Sequence, residues 1–304
     1  MTLNRIASNS LQRSMAEAMQ RSQQKLAATQ LSLASGKKAN DYAALGTETV
    51  RDLSAHSLVS QEQAHSTVAS RVGTTLDLNN TYLSQIDESS GSLKTSILNA
   101  IGTGQSAGLQ EAIDQAFGQF RTSLNASEGG VPLFGGTQTE QPPFQPQTLA
   151  DTLTMTPAQA FTNDNVKAAA RVATNVDVEY GVVASDVGTG LYAAFQTLAA
   201  VAPIGDTLTD AQKTALAQAS DQLGKGLDSL RNVNSANGRR QAQVEDLGSR
   251  ADERIVKLKD IISKNEDADL GQVAADLATQ KTVLEASFSV FSQLSGLSLI
   301  NFLK

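Results

Sequence analysis

The two histidines are the first residues to test for metal chemistry. His56 and His65 lie nine residues apart and are the chain's only histidines. On a helix this spacing is about two and a half turns, so the two rings are expected on opposite faces. A helical zinc pair needs histidines four residues apart on one face. The sequence therefore predicts two exposed, unrelated histidines and no metal site.

Residues 162–165, Thr-Asn-Asp-Asn, begin like a calcium-binding loop. Such a loop also needs a glycine at its sharp turn and a bidentate glutamate, and neither stands at the required offset. Asparagine and aspartate also cap helix N-termini. We interpret this segment as a cap before a helix beginning near residues 166–168.

The sequence contains no pattern typical of a catalytic or cofactor site. The glycines of residues 102–108 follow a helical pattern and precede no Gly-Lys-Ser/Thr, so they do not form a phosphate-binding loop. A Gly-x-Ser-x-Gly elbow is also absent from the sequence. We therefore expect no enzyme and no cofactor.

Composition narrows the remaining classes. The net charge is −7, although residues 1–60 carry seven Lys/Arg against four Asp/Glu, and there is no cysteine. An acidic body gives no support to nucleic-acid binding. No run of about 18 apolar residues predicts a membrane span. The N-terminal residues lack the apolar region of a secretory signal, so we expect no cleavable signal peptide.

The C-terminal stretch has an apolar stripe that needs a partner. Asp269 and Gln272 have the spacing of a capping box, which predicts a helix start. The apolar residues that follow recur at helical spacing, with Val283 and Val290 beside them. They are Leu277, Leu284, Phe288, Phe291 and Leu294, and Leu297 lies beside them with the two valines.

The N-terminal stretch has a complementary stripe. A helix is predicted to end near Gly36, which two lysines follow. Its apolar residues lie at spacings of four and seven, and are Leu11, Met15, Met19, Leu26 and Leu33. The two stripes predict a terminal coiled coil, within one chain or between copies.

The chain between these ends contains three kinds of sequence pattern. Residues 43–101 contain no proline and predict a long helix, and residues 109–124 predict a shorter one. Glycines and prolines then replace the helical pattern, and residues 172–182 alternate apolar with polar or small residues, which predicts one strand. Helical periodicity resumes near residue 189 and passes through Gly238.

The predicted fold is mainly α: a long coiled-coil helical rod formed by both chain ends, with a small β-rich insertion in the middle. We expect three parts. Residues 1–40 and 266–304 form a terminal coiled-coil region, residues 41–128 and 187–265 a helical rod domain, and residues 129–186 the insertion.

Three short motifs, in this order, resemble the flagellin superfamily of bacterial flagellar axial proteins. Residues 31–40, LSLASGKKAN, are similar to the family's N-terminal turn. Residues 266–269, EDAD, match its junction between rod and tail, and residues 297–303, LSLINFL, are similar to its final segment.

Within this superfamily the chain is most similar to the hook-associated protein 3 family of hook–filament junction subunits. Residues 133–139, LFGGTQT, and residues 178–182, VEYGV, carry that similarity. Filament flagellin is the alternative, but its usual NRF segment is Arg239-Arg240-Gln241 here. A cytoplasmic coiled-coil adaptor is an alternative from another class.

The resemblance implies an extracellular subunit of the bacterial flagellum, exported without a cleavable signal peptide. Its implied partners are copies of itself, the hook-side junction protein, flagellin and an export chaperone, with no nucleic acid and no membrane. We expect the insertion, which carries Phe134 and Phe144, to contact unlike neighbours. For Phe134 the alternative is packing in the insertion's own core.

Overall fold

The chain is mainly helical. The computed structural model describes residues 2–39 and 41–302, with side chains described for residues 13–39, 41–43 and 45–293. Helices account for 74% of the chain, and the described residues contain two small antiparallel sheets. This confirms the predicted fold class, mainly α with a small β insertion.

The elements follow one another in a simple order. The helices are α1 (Thr2–Ser35), a 3₁₀ helix (Tyr42–Glu48), α2 (Thr49–Thr103), α3 (Leu109–Leu124), a second 3₁₀ helix (Leu149–Leu153), α4 (Pro157–Ala160), α5 (Ala184–Ala199), α6 (Asp210–Glu266) and α7 (Leu270–Phe302). The strands are β1 (Ser127–Glu128), β2 (Val131–Pro132), β3 (Ala169–Ala173) and β4 (Val176–Glu179). Strand β1 pairs with β2, and β3 pairs with β4. Among the described residues, no helix is long and apolar enough to cross a membrane.

Local signals in the sequence fix several helix ends. Thr209 and Gln212 form the capping box at the start of α6: the Gln212 backbone N–H donates to Thr209 Oγ1 at 3.2 Å, and the Thr209 backbone N–H donates to Gln212 Oε1 at 3.1 Å. Asp269 Oδ1 caps α7 by accepting from the Gly271 N–H at 2.9 Å and the Gln272 N–H at 3.2 Å. Helix α6 continues through Gly238, as the periodicity predicted.

The described chain divides into two compact units. The first comprises the residues up to Ser60 together with those from Arg254 onward, and the second is Gln61–Glu253. Helices α2 and α6 contribute residues to both units. The three-part division inferred from the sequence stays a prediction.

The second unit is built around an aromatic core. Phe120 and Phe144 pack edge to face with ring centroids 5.2 Å apart, and Tyr192 lies 5.8 Å from Phe144 in a similar arrangement. Phe134 and Phe144 are both fully buried in this core. The expectation that these two phenylalanines contact unlike neighbours is therefore wrong. Both rings pack in a core that the insertion shares with helices α3 and α5, rather than in a core of the insertion alone.

The predicted single strand over residues 172–182 is a hairpin. Strands β3 and β4 are joined at residues 174–175, where Asn175 takes a positive φ of 60° that asparagine tolerates well. Val172 and Val178 are both buried and share a small core with Val72 and Val244. The alternation of apolar with polar or small residues does mark strands. It continues through the turn because Thr174 and Asn175 fit both a strand pattern and a tight loop.

Residues 166–168 are not helical, so the predicted cap at residues 162–165 is wrong. Asp164 instead holds two loop segments together. Its Oδ1 accepts from the backbone N–H groups of Thr137 and Val166, each at 3.0 Å. The Thr137 hydroxyl and backbone N–H lower the pKa of Asp164 by stabilising the carboxylate. The aspartate side chain therefore accepts backbone hydrogen bonds within a loop rather than at a helix end.

Candidate functional site

Helices α1 and α7 of the first unit pack against each other. The half-buried residues of α7 recur in steps of four and three, and are Val273, Leu277, Gln280, Leu284, Ser287 and Phe291. Those of α1 between residues 13 and 31 follow the same rule, and are Met15, Met19, Ser22, Leu26 and Thr29. This alternation is the seam of a coiled coil. Thr29 Oγ1 donates across it to Gln280 Oε1 at 3.0 Å.

Most of the predicted stripe residues with described side chains lie on this seam. Met15, Met19, Leu26, Leu277, Leu284 and Phe291 are half-buried there. Leu33 and Phe288 are exposed, at 38% and 46% of their surfaces. The side chains of Leu11, Leu294 and Leu297 lie outside the described residues.

The seam also contains polar residues that the apolar pattern did not reveal. They are Ser22, Thr29, Gln280 and Ser287. Only their positions in the sequence could have indicated them, since each continues the alternating spacing of four and three residues. The role of the seam in assembly stays a prediction.

Pairing of α1 with α7 leaves much apolar surface open. None of the seam residues with described side chains is fully buried, and Val283 and Val290 are 52% and 45% exposed. These two valines line an open groove of about 360 Å³ together with Met15 and Met19. Burying a Val or Met side chain is worth about 1.5–3 kcal/mol. The first unit thus offers a long apolar face that further helices could cover.

A polar joint ties the end of α1 to the start of α7. Gly36 takes a positive φ of 70° and ends α1, and its carbonyl accepts from the Ala268 N–H at 2.8 Å. Lys37 Nζ donates to Glu266 Oε2 at 3.0 Å and to Asp267 Oδ1 at 2.6 Å. These contacts bring the LSLASGKKAN and EDAD motifs together, although more than 200 residues separate them.

The charges of this joint stabilise one another. Hydrogen bonds from Lys37 and Ser263 lower the pKa of Asp267, and the same Lys37–Asp267 bond is the largest cause of the raised pKa of Lys37. Because the side chains of Lys37 and Asp267 are 43% and 45% exposed, solvent screens much of this attraction. We therefore interpret the joint as a set of contacts that fixes the position at which α7 begins.

His56 is part of this joint, which corrects its interpretation as an unrelated surface residue. Its Nε2 lies 2.7 Å from Glu266 Oε1 and 3.7 Å from Asp52 Oδ2. Burial and the nearby Glu266 raise the pKa of Asp52, whereas the His56 hydrogen bond lowers the pKa of Glu266. The side chain of His56 is nevertheless 43% exposed. The expected exposure of His65 is wrong, since 12% of its side chain is accessible, and its Nδ1 lies 3.8 Å from Glu62 Oε2.

Comparison with known proteins identifies the fold. No family model and no curated protein sequence matches the chain. A solved structure described as a flagellar hook-associated protein, from Vibrio parahaemolyticus, matches with a TM-score of 0.62 and 14% identity, covering 74% of this chain and 98% of that one. FlgL from Bacillus cereus matches with a TM-score of 0.56 and 14% identity, covering 70% of this chain and 98% of that one. At this identity the likeness shows a shared fold.

Proposed function

We propose that this chain is a structural subunit of the bacterial flagellum that joins the hook to the filament, with no catalytic activity. The observation that carries the proposal is the α1–α7 pair, whose seam is half-buried and whose flanking valines are exposed. The fold shared with two flagellar proteins supports the flagellar setting.

The proposed mechanism is burial of the open α1–α7 face by the same helices of neighbouring subunits. Each additional Val, Met or Phe covered contributes about 1.5–3 kcal/mol, less the entropy of ordering the helices. Polar residues between the apolar ones, such as Lys281 and Glu285 of α7, would keep the free subunit in solution before assembly. Assembly then depends on many subunits presenting the same face.

The junction role rests on the sequence resemblance at residues 133–139 and 178–182. By that resemblance, the partners are other copies, the hook-side junction protein and flagellin, with an export chaperone before secretion. The subunit would be exported without a cleavable signal and act outside the cell. Filament flagellin is the alternative within the same superfamily, and a cytoplasmic adaptor is the alternative outside it.

Deletion of the gene in the source bacterium tests the proposal. We expect intact hooks, no attached filaments and flagellin shed into the medium, because the filament would lack its attachment layer. A wild-type copy on a plasmid should restore filaments, which electron microscopy detects. Normal filaments in the deletion strain would overturn the junction role.

Labelling of the chain separates the alternatives. An antibody that marks a short segment between hook and filament supports the junction role. An antibody that marks the whole filament supports flagellin. Retention of the chain in the cytoplasm supports the adaptor.

A further inference from the structure

Three side chains at the polar joint present metal-binding atoms to one another. Asp52 and His56 lie one turn apart on α2, and Glu266 is the last residue of α6. One ligand atom from each, a carboxylate oxygen or an imidazole nitrogen, lies within 4.8 Å of the other two. The helix spacing from Asp52 to His56 is four residues, which places both on one face.

Asp52 is the member of this cluster that lacks a structural explanation. Its exposed fraction is 0%, and neither carboxylate oxygen has a hydrogen-bond partner among the described residues. Asn265 and Glu266 lie near enough to shift its pKa, but neither makes a hydrogen bond of good geometry with it. His56 Nε2, at 3.7 Å, is too far away for a hydrogen bond. A buried carboxyl group whose oxygens accept no hydrogen bond is costly, and a bound cation is one of the few groups that would satisfy it.

Glu266 is already oriented for such a role. Lys37 Nζ bonds its Oε2 at 3.0 Å, so its Oε1 is the oxygen turned toward His56. A ligating carboxylate held through its other oxygen is the arrangement that supporting groups create around metal sites. Glu266 also lines an open cleft of about 430 Å³ together with Lys37 and Tyr42.

We propose that Asp52, His56 and Glu266 bind a divalent transition-metal ion of the Zn²⁺ class. One imidazole nitrogen and two carboxylate oxygens suit such an ion, with water completing its coordination. In a tetrahedral zinc site the ligand atoms lie about 3.3 Å apart, so the 2.7 Å contact between His56 Nε2 and Glu266 Oε1 would open by roughly 0.6 Å on binding.

The proposal departs from the expectation of no metal site, which considered a histidine pair and a calcium-binding loop but no site that combines distant carboxylates with one histidine. The ion would link the start of α2 to the end of α6, four residues before α7 begins. It would therefore stabilise the joint from which the terminal helix leaves. This inference does not depend on the flagellar role.

Zinc titration of the purified, chelator-treated full chain tests it, with His65 as the matched control. We expect calorimetry to show one Zn²⁺ per chain for the wild type, and at least about tenfold weaker binding for His56→Asn and for Asp52→Asn. His65→Asn, on the same helix, should bind as the wild type does. Far-UV circular dichroism checks that each variant is folded.

The thermal stability of the chain provides a second test of the metal site. Zn²⁺ should raise the Tm of the wild type and of His65→Asn but not that of Asp52→Asn, because the variant lacks one ligand. Without metal, Asp52→Asn should be at least as stable as the wild type, since it removes a buried acid whose oxygens accept no hydrogen bond. No saturable binding by the wild type, or equal binding by His56→Asn, would overturn the proposal.

Discussion

At the scale of single residues, two glycines of α6 have opposite surroundings. A Cβ at Gly226 would lie 2.8 Å from the backbone N of Leu191, whereas a Cβ at Gly238 would meet no described atom within 4 Å. We expect Gly226→Ala to lower the free energy of unfolding by about 1–3 kcal/mol, because α5 and α6 would have to separate. Gly238→Ala should raise it by about 0.5–1 kcal/mol through better helix propensity.

Urea unfolding of the two variants, followed by circular dichroism, measures both changes against the wild type. Each substitution adds the same methyl group to the same helix, so each controls for the other. Destabilisation of similar size by both would contradict the close approach of α5 to α6 at Gly226. The sequence alone could not distinguish these glycines, since both interrupt the same helical periodicity.

Asp151 should give the second unit a dependence on acid. Its Oδ2 accepts from the backbone N–H groups of Thr148 at 2.8 Å and Gln147 at 2.9 Å, and these bonds, Thr148 foremost, lower its pKa. Because the folded pKa lies below the unfolded one, this stabilisation is full above about pH 4 and is lost as pH falls through the folded value.

Asp151→Asn should therefore show a smaller loss of Tm than the wild type when the pH is lowered from 6 to about 2.5. Differential scanning calorimetry across this range measures the two slopes. At pH 6 the variant should be the less stable protein, because the amide is a weaker acceptor than the carboxylate. Parallel pH profiles for the two proteins would show that Asp151 contributes nothing in the acid range.

At the scale of elements, the α1–α7 seam gives the proposed assembly a testable position. Leu284 lies half-buried on the seam, and Ser289 lies exposed on the polar side of the same helix. Leu284→Asp would place a charge without a partner in the α1–α7 seam, beside the face that we propose neighbouring subunits cover, which costs several kcal/mol. We expect it to abolish incorporation into flagella and to leave the second unit folded.

Ser289→Asp is the matched control, since it adds the same charge to the same helix and should still assemble. Complementation of the deletion strain and blotting of sheared flagella measure incorporation, and circular dichroism measures the fold. Incorporation of the Leu284→Asp protein at the wild-type level would remove the seam from the interface. Complete unfolding of that variant would instead place Leu284 in the core of the free subunit.

Elements with strong local signals were predictable, and those decided by distant contacts were not. The limits of α3 and the continuity of α6 followed from periodicity, and the cap at Thr209 followed from its pairing with Gln212. The hairpin at Asn175 was missed because alternation continues across its turn. The His56–Glu266 contact was missed because 210 residues separate the two partners and nothing local indicates it.

At the scale of the whole molecule, the best-buried core among the described side chains lies away from the chain ends. The second unit contains fully buried aromatic residues such as Phe120 and Tyr192, whereas no described seam side chain of α1 or α7 is fully buried. Composition explains part of this contrast, since most of the nine phenylalanines lie in residues 117–195. The sequence predicted apolar ends, but only the structure shows that one chain leaves apolar surface uncovered at the described residues of α1 and α7.

The accessibility of residue 283 can be measured both in the free subunit and in assembled flagella, which tests whether assembly buries the α1–α7 face. The chain has no cysteine, so Val283→Cys introduces a single thiol, at a position that is 52% exposed in one chain. We expect a maleimide to label this thiol rapidly in the purified subunit and at least about tenfold more slowly in intact flagella. Dissociation of the same flagella should restore the rapid rate. Equal labelling rates in intact and dissociated flagella would contradict burial of the α1–α7 face by neighbouring subunits.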